Sequence, residues 1–553
     1  MNPLNNTSSN DGSLSPTPKR PRLEGAPTGV SVGRDVAVYN QNQSSFFCLP
    51  DETKSMIIRY LGLREITRLV RVCKYLRDHV ENNKALERAW IRRFPSAHQY
   101  ELKTIVTAKD KQQLSNWLQP LANKGTIKSL IKQRKSSYFP AQLLFTNSKL
   151  MSQCEKFHMV TRKKTNHDYG ITTATFSPDG CHLVTASMGK VRIYGRKTDG
   201  SWKTKATISH EDWVRSASFS PDSRHLVTAS YDRTSRICSL GDDGLWEVKT
   251  IISHKFSVRS ANFSADGRHL VTASMDETMK IYGLKTDGSW EEKATIKHNG
   301  PVSSASLSGD CRHVLVDDFG RNATVYGQEE DGSWKVKGTI THRGIVYSAT
   351  FSADERHLVT ASEDCSAKIY ALQADGSWKE IVKISHDNVV YSARFSANGS
   401  HLVTASEDDT AKIYGQETPG SWVEEATIKH KRSVISANFS PDGRHLVTTS
   451  KDRRAKIYGQ ETRGSWTKKA TIAHKGWVRP AAFSADGCHV VTTAIGDKKA
   501  KIYGPGANGS WVKKATIRHK EKLKFATISA DGRHVLTVDE YTTTKMTELR
   551  KKE

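Results

Sequence analysis

No apolar run in these 553 residues approaches the eighteen needed for a transmembrane helix. The first thirty residues hold no apolar segment followed by a small-residue cleavage site, so no secretory leader is expected. Cysteine is sparse. The eight, at Cys48, Cys73, Cys154, Cys181, Cys238, Cys311, Cys365 and Cys488, form no Cys-x-x-Cys pair. That pattern fits reduced thiols in the cytosol or nucleus of a eukaryotic cell rather than a disulfide framework. No Ser/His/Asp set, glycine-rich phosphate loop or carboxylate pair stands apart from the repeating pattern, so neither catalysis by the chain itself nor a cofactor is expected.

What the chain has in excess is positive charge and repetition. The formal net charge is +26, which raises nucleic acid as a partner. The lysines recur once per repeat, however, as at Lys412, Lys456 and Lys501, so they are spread around an array. A groove that tracks nucleic acid gathers its cations and interleaves aromatics, so nucleic acid is not the expected partner.

The repeat is about 44 residues long, clearest from His430 to Ile472: H-x-x-x-V-x-S-A-N-F-S-P-D-G-R-H-L-V-T-T-S-x-D-x-x-A-K-I-Y-G-x-x-x-x-G-S-W-x-x-K-A-T-I. Its opening histidines are His167, His210, His254, His298, His342, His386, His430, His474 and His519. Within the clearest copy, Val434 to Phe439 alternates as a strand and Ser440-Pro441-Asp442-Gly443 is a turn. His445 to Ser450 reads as a strand buried on both faces, Ala455 to Tyr458 as a third strand, and Trp466 to Ile472 as a fourth. Eighteen of the 21 histidines are consumed by two fixed repeat positions, leaving His79, His98 and His158, so a histidine-based metal site is not expected.

Three segments precede the array. Residues 1–45 are polar and Pro/Ser/Asn-rich, hence a disordered basic tail, with Pro18-Lys19-Arg20-Pro21-Arg22 resembling a nuclear-import cluster. From Phe46 to residue 95 apolar residues recur at helical spacing after a Leu49-Pro50-Asp51-Glu52 helix start. Residues 96–156 read as a helical linker with Pro120 and Pro140 as breaks, and 157–550 as the repeat array.

Leu49-Pro50, Ile57-Ile58-x-Tyr60-Leu61, Leu69-x-x-Val72-Cys73, Leu86 and Trp90 resemble, in order, the landmarks of the F-box, the adaptor-binding module of ubiquitin ligases. Four strands per 44 residues, with a His and an Asp 22 residues later (His210/Asp232, His254/Asp276, His342/Asp364, His386/Asp408, His430/Asp452), resemble the WD repeat of β-propellers. The resemblance implies a mainly β chain with an N-terminal α part: a small helical F-box followed by a WD-repeat propeller of nine units, in eight or nine blades. The strand that completes the last blade would come from Phe157 to Thr165, which matches the Trp strand poorly. In the family the His and Asp hydrogen-bond a strand Ser/Thr and a Trp. Here a Tyr stands for that Trp (Tyr194, Tyr282, Tyr326, Tyr370, Tyr414, Tyr458, Tyr503) and is expected to supply the donor. Copy 2, with Cys238 there, copy 4, with Gly320 for Asp, and copy 1, a residue short near Gly189, are expected to be less well braced.

By the same resemblance the F-box docks on a Skp-type adaptor of a cullin–RING complex through Leu49, Pro50, Ile57, Ile58, Leu61, Leu69, Val72, Leu76 and Trp90. The chain would be a substrate receptor that adds no chemistry of its own. Comparison of the copies separates frame from face, because the residues around the start of each first strand vary most. Trp213, Arg215, Arg259, Tyr347, Tyr391, Trp477 and Arg479 are of the types that dominate interaction hot spots, and an acidic or phosphorylated target suits the arginines. Two other readings are a propeller scaffold without ligase work and a basic nucleic-acid-binding propeller. The near-identity of the copies also suits eukaryote-like effectors of intracellular bacteria.

Overall fold

The computed structural model describes residues 139–551, apart from short gaps at 198–199, 319, 419, 462–463 and 507, together with parts of 114–132. The tail expected at 1–45, the module at 46–95 and the start of the linker lie outside the described residues. The described part is mainly β, with two helices, α1 (Lys124–Lys132) and α2 (Phe139–Gln153), ahead of a β-propeller.

Each repeat forms a four-stranded antiparallel sheet. In the seventh unit the strands are Val434–Phe439, His445–Ser450, Arg454–Gln460 and Trp466–Ala473. The second strand reads as almost continuous apolar sequence because both its faces are covered: in unit 2 every residue of His225–Ser230 is buried. The fourth strand faces outward and alternates, so only its Trp and Ile anchor it, as Trp246 and Ile252 do in unit 2.

The nine units occupy eight hydrogen-bonded sheets, seven of four strands and one of six. The six-stranded sheet holds units 1 and 2. In unit 1 the residue missing near Gly189 lets the second and third strands run on as His182–Arg196. Its fourth strand continues through Trp202–Phe219 into the first strand of unit 2. Counting that sheet once or twice gives the two blade numbers expected from the sequence.

The ring closes through Phe157–Asn166, which pairs antiparallel with the last strand, Thr543–Lys551. Elsewhere a second-strand histidine packs edge-on against the fourth-strand Trp of the next unit: His182 on Trp246 at 5.4 Å, His225 on Trp290 at 5.5 Å, His445 on Trp511 at 5.0 Å between ring centroids. At the seam His489 of unit 8 meets Phe157 at 5.3 Å, and His534 of unit 9 meets Trp202 of unit 1 at 6.2 Å. Phe157 therefore stands in for the missing Trp. The poor sequence match has a physical cause: Met159, opposite Leu549, holds the register that Trp466 holds opposite Gln460, and Phe157 fills the gap from two residues earlier, opposite Lys551.

Helix α2 is more than the spacer its sequence suggested. Pro140 sits in its first turn, where no amide donor is needed, and so starts the helix rather than breaking it. Met151 joins a buried cluster with Phe157, Val491 and Ile502. Asn147 Nδ2 donates to the Asp531 carbonyl at 3.1 Å, and Arg533 Nε donates to Asn147 Oδ1 at 2.9 Å. Lys514 Nζ donates to the carbonyls of Ser152 and Cys154 at 3.2 and 2.5 Å. The helix is thus fastened to units 8 and 9.

Candidate functional site

Six of the nine units are held by a hydrogen-bonded brace that fixes the start of the first strand. In unit 7 His430 Nδ1 lies 2.9 Å from Asp452 Oδ2, and its Nε2 lies 2.9 Å from Thr448 Oγ1. A neutral imidazole satisfies both contacts, with Nδ1–H donating to the carboxylate and Nε2 accepting the threonine hydroxyl. Burial pushes the His430 pKa down, against the opposing pull of Asp452. Burial alone would raise the Asp452 carboxyl, but hydrogen bonds from the Lys431 amide and His430 outweigh it and hold it below the usual range. The carboxylate also accepts the Arg454 amide, which clamps Arg453 between them at φ 66°, a left-handed conformation that costs a non-glycine residue on the order of 1 kcal/mol.

The same brace stands in units 2, 3, 5, 6 and 8. For three of the tyrosines the structure corrects the expectation. The hydroxyls of Tyr282, Tyr370 and Tyr414 turn away from the brace and donate to Glu292, Glu380 and Glu424 on the neighbouring fourth strand. Unit 2 is accordingly fully braced despite Cys238, with His210 2.7 Å from Asp232 and 2.9 Å from Thr228, which overturns its expected weakness. Units 1 and 4 do lack the brace. His167 meets Arg192 rather than an Asp. In unit 4, where Gly320 replaces Asp and Val316 replaces Thr, His298 Nδ1 turns to the Tyr326 hydroxyl at 2.8 Å. In unit 8 Asp497 lies 23 residues after its His rather than 22, which hid it from the fixed spacing.

The braces present a ring of first-strand starts, one residue past a buried apolar anchor in each unit. Arg215, Tyr347 and Trp477 are exposed, and Trp213 is 38% exposed. The aromatic members form a chain across units 5 to 8. Tyr347 packs edge-on against Tyr391 at 5.8 Å, and Lys451 Nζ lies 5.4 Å from the Tyr391 ring and 5.6 Å from the Trp477 ring. Arg259 donates to the Tyr231 hydroxyl at 2.7 Å and covers its ring. Arg479 is 3.6 Å from Glu540.

Lys524 belongs to the same ring and was missed in the sequence, because unit 9 replaces the anchoring Val with Leu523. Burial, then the positive charges of Arg479 and Arg215, push the Lys524 ammonium down from its ordinary pKa. Three cations from units 8, 9 and 2 therefore share one neighbourhood. Lys524 donates to the Ile171 carbonyl at 2.7 Å, which holds the cluster across unit 1. Glu363 and Glu407 occupy matching turn positions of units 5 and 6 beside the aromatic chain, whereas the same position holds Lys451 in unit 7 and Glu540, the partner of Arg479, in unit 9.

The comparisons agree with this architecture. The WD40 model (WD domain, G-beta repeat) matches residues 160–194, 202–239, 246–283, 334–371, 378–415 and 422–459. The unmatched units are 4, 8 and 9, which depart from the regular brace by a missing Asp, an inserted residue and a missing pairing. An F-box-like model matches 46–89. No curated protein matches the chain in sequence. A similar solved structure is Sqt1 from Chaetomium thermophilum, at 12% identity and a TM-score of 0.50, covering 72% of this chain and 100% of that one; it shows the fold alone. With an F-box-like domain ahead of a WD-repeat propeller, the chain is an F-box/WD-repeat protein.

Proposed function

We propose that this chain is the substrate-recognition subunit of an SCF-type ubiquitin ligase. The F-box-like domain docks on a Skp-type adaptor through Leu49, Pro50, Ile57, Ile58, Leu61, Leu69, Val72, Leu76 and Trp90, and the ring of first-strand starts holds the target. The observation that carries this reading is the pairing of an F-box-like domain with a propeller face where Arg215, Arg479 and Lys524 crowd together beside exposed aromatics. Crowded cations repel one another, and an acidic or phosphorylated segment of a target relieves that repulsion. The chain supplies proximity: it raises the effective concentration of a target lysine near the charged ubiquitin-conjugating enzyme. We place it in the cytosol or nucleus of a eukaryotic cell.

The test is affinity purification of the full chain and of a triple variant, Arg215→Glu, Arg479→Glu and Lys524→Glu, followed by mass spectrometry. The variant is expected to keep the adaptor and lose the target at least tenfold, because three attractive contacts become repulsive. Equal recovery of all partners by both proteins would remove this face from target binding.

A further inference from the structure

The turn between the first and second strands ends, in most units, on a glycine in the left-handed region, such as Gly267 at φ 71° and Gly443 at φ 70°. Three units keep that conformation without glycine: Ser223 at φ 62°, Cys311 at φ 60° and Glu355 at φ 63°. Each side chain reaches back to the same turn of the preceding unit. Ser223 Oγ accepts the Asp179 amide at 3.0 Å, and Glu355 accepts the Asp310 amide at 3.0 Å. Cys311 of unit 4 reaches the turn of unit 3, where its sulfur meets Asp266 and His269.

A carboxylate oxygen of Asp266, a ring nitrogen of His269 and the Cys311 sulfur lie within 4.8 Å of one another, the one such trio among the described residues. His269 Nδ1 is buried without a hydrogen-bond partner and lies 3.7 Å from Asp266. The same nitrogen is unpartnered in His182, His445, His489 and His534, but among the described residues only at unit 3 do a thiol and a carboxylate come within 4.8 Å of the imidazole and of each other. Burial, with Asp266, Asp310 and Glu355 around it, pushes the Cys311 thiol up to about 11. The thiol therefore stays protonated at neutral pH unless a cation offsets those carboxylates.

We propose that Asp266, His269 and Cys311 form a site for a borderline divalent cation of the zinc class, which staples unit 4 to unit 3. One sulfur, one imidazole nitrogen and one carboxylate oxygen are a donor set such ions favour, with a fourth position left for water. Metal–ligand distances of about 2.0–2.3 Å require the three donors to close by roughly 1 Å, within reach of side-chain rotation at a partly exposed turn. On binding, Cys311 releases its thiol proton to solvent and ligates as thiolate. The location fits the need, since unit 4 is the blade whose Asp and Thr brace is missing. The site was hidden in the sequence because its cysteine lies one repeat away from its histidine.

The full chain, stripped with chelator, is incubated with one equivalent of zinc, desalted and assayed by elemental mass spectrometry. Cys311→Gly is the comparison, since it restores the residue of the other units and leaves the turn free to fold. The wild type is expected to retain one zinc per chain and gain melting temperature from it, whereas Cys311→Gly retains background zinc and gains nothing. Cobalt should produce a thiolate charge-transfer band in the wild type only. Equal zinc in both proteins, or none in the wild type, overturns the proposal.

Discussion

Lowering the pH from 7.5 to 4.5 should unlock the propeller, beginning at units 1 and 9. Burial, with Arg192 reinforcing it, lowers the pKa of His167 from 6.5 to about 4, and burial does the same for His519. Both folded values lie below the unfolded one, so the unfolded chain binds the proton first. The stability contributed is complete above about pH 6.5 and is lost as the pH falls from there to about 4. The full shift corresponds to on the order of 3 kcal/mol per histidine, and solvent screening at these partly accessible positions reduces it to about 2. Against a total stability of about 5–15 kcal/mol, two such losses matter. They fall on either side of the Phe157–Asn166 seam, the place where the ring is closed by a borrowed strand. The brace histidines His210, His254, His342, His386, His430 and His474 are all lowered, chiefly by burial, and add in the same direction. Urea midpoints across this range, with limited proteolysis to locate the first cleavages, check the result. An unchanged midpoint, or first cuts in units 5 to 7, would contradict it.

The second large effect concerns the brace. Asp452→Ala strips the His430 imidazole and the amides of Lys431 and Arg454 of their acceptor. Leaving the buried imidazole donor and two amides unpaired beside a left-handed residue should cost about 3 kcal/mol. The tyrosines provide an internal contrast. Tyr326→Phe should cost about 2 kcal/mol, because it orphans buried His298, whereas Tyr414→Phe should cost less than about 1 kcal/mol, because its hydroxyl serves Glu424 on the outer strand. Denaturant unfolding of the three variants decides the matter, and equal losses for the two tyrosine variants would refute the separate roles assigned to them.

These results also show where sequence carries structure and where it does not. Val434–Phe439 and His445–Ser450 were readable to the residue because alternation, a Ser-Pro-Asp-Gly turn and an apolar run are local signals. The His–Asp pairing was readable because the repeat fixes its spacing, and it failed at Asp497 where one inserted residue broke that spacing. The hydroxyls of Tyr282, Tyr370 and Tyr414 were misassigned because a Glu on the next strand offers each an acceptor, whereas Tyr326, with no such Glu, does meet its histidine. Phe157 was obscured because it stands two residues before the register that the Trp holds in the other units. Lys524 was obscured by a Leu for Val exchange, and the docking of α2 depends on partners such as Asp531 and Arg533, nearly 400 residues away along the chain. Around the first-strand starts the residue types were visible beforehand. Their grouping into a cation cluster and an aromatic chain was not, since ring closure alone brings unit 9 beside unit 1.

The central claim is that this chain joins a ubiquitin-ligase adaptor to a target. The most direct test mixes the purified full chain with a purified Skp-type adaptor and measures complex formation by size exclusion and calorimetry, for the wild type and for Leu49→Ala with Pro50→Ala. A one-to-one complex with the wild type, weakened at least tenfold in the double variant, is the predicted result. No complex with the wild type, or one indifferent to both substitutions, would contradict the account.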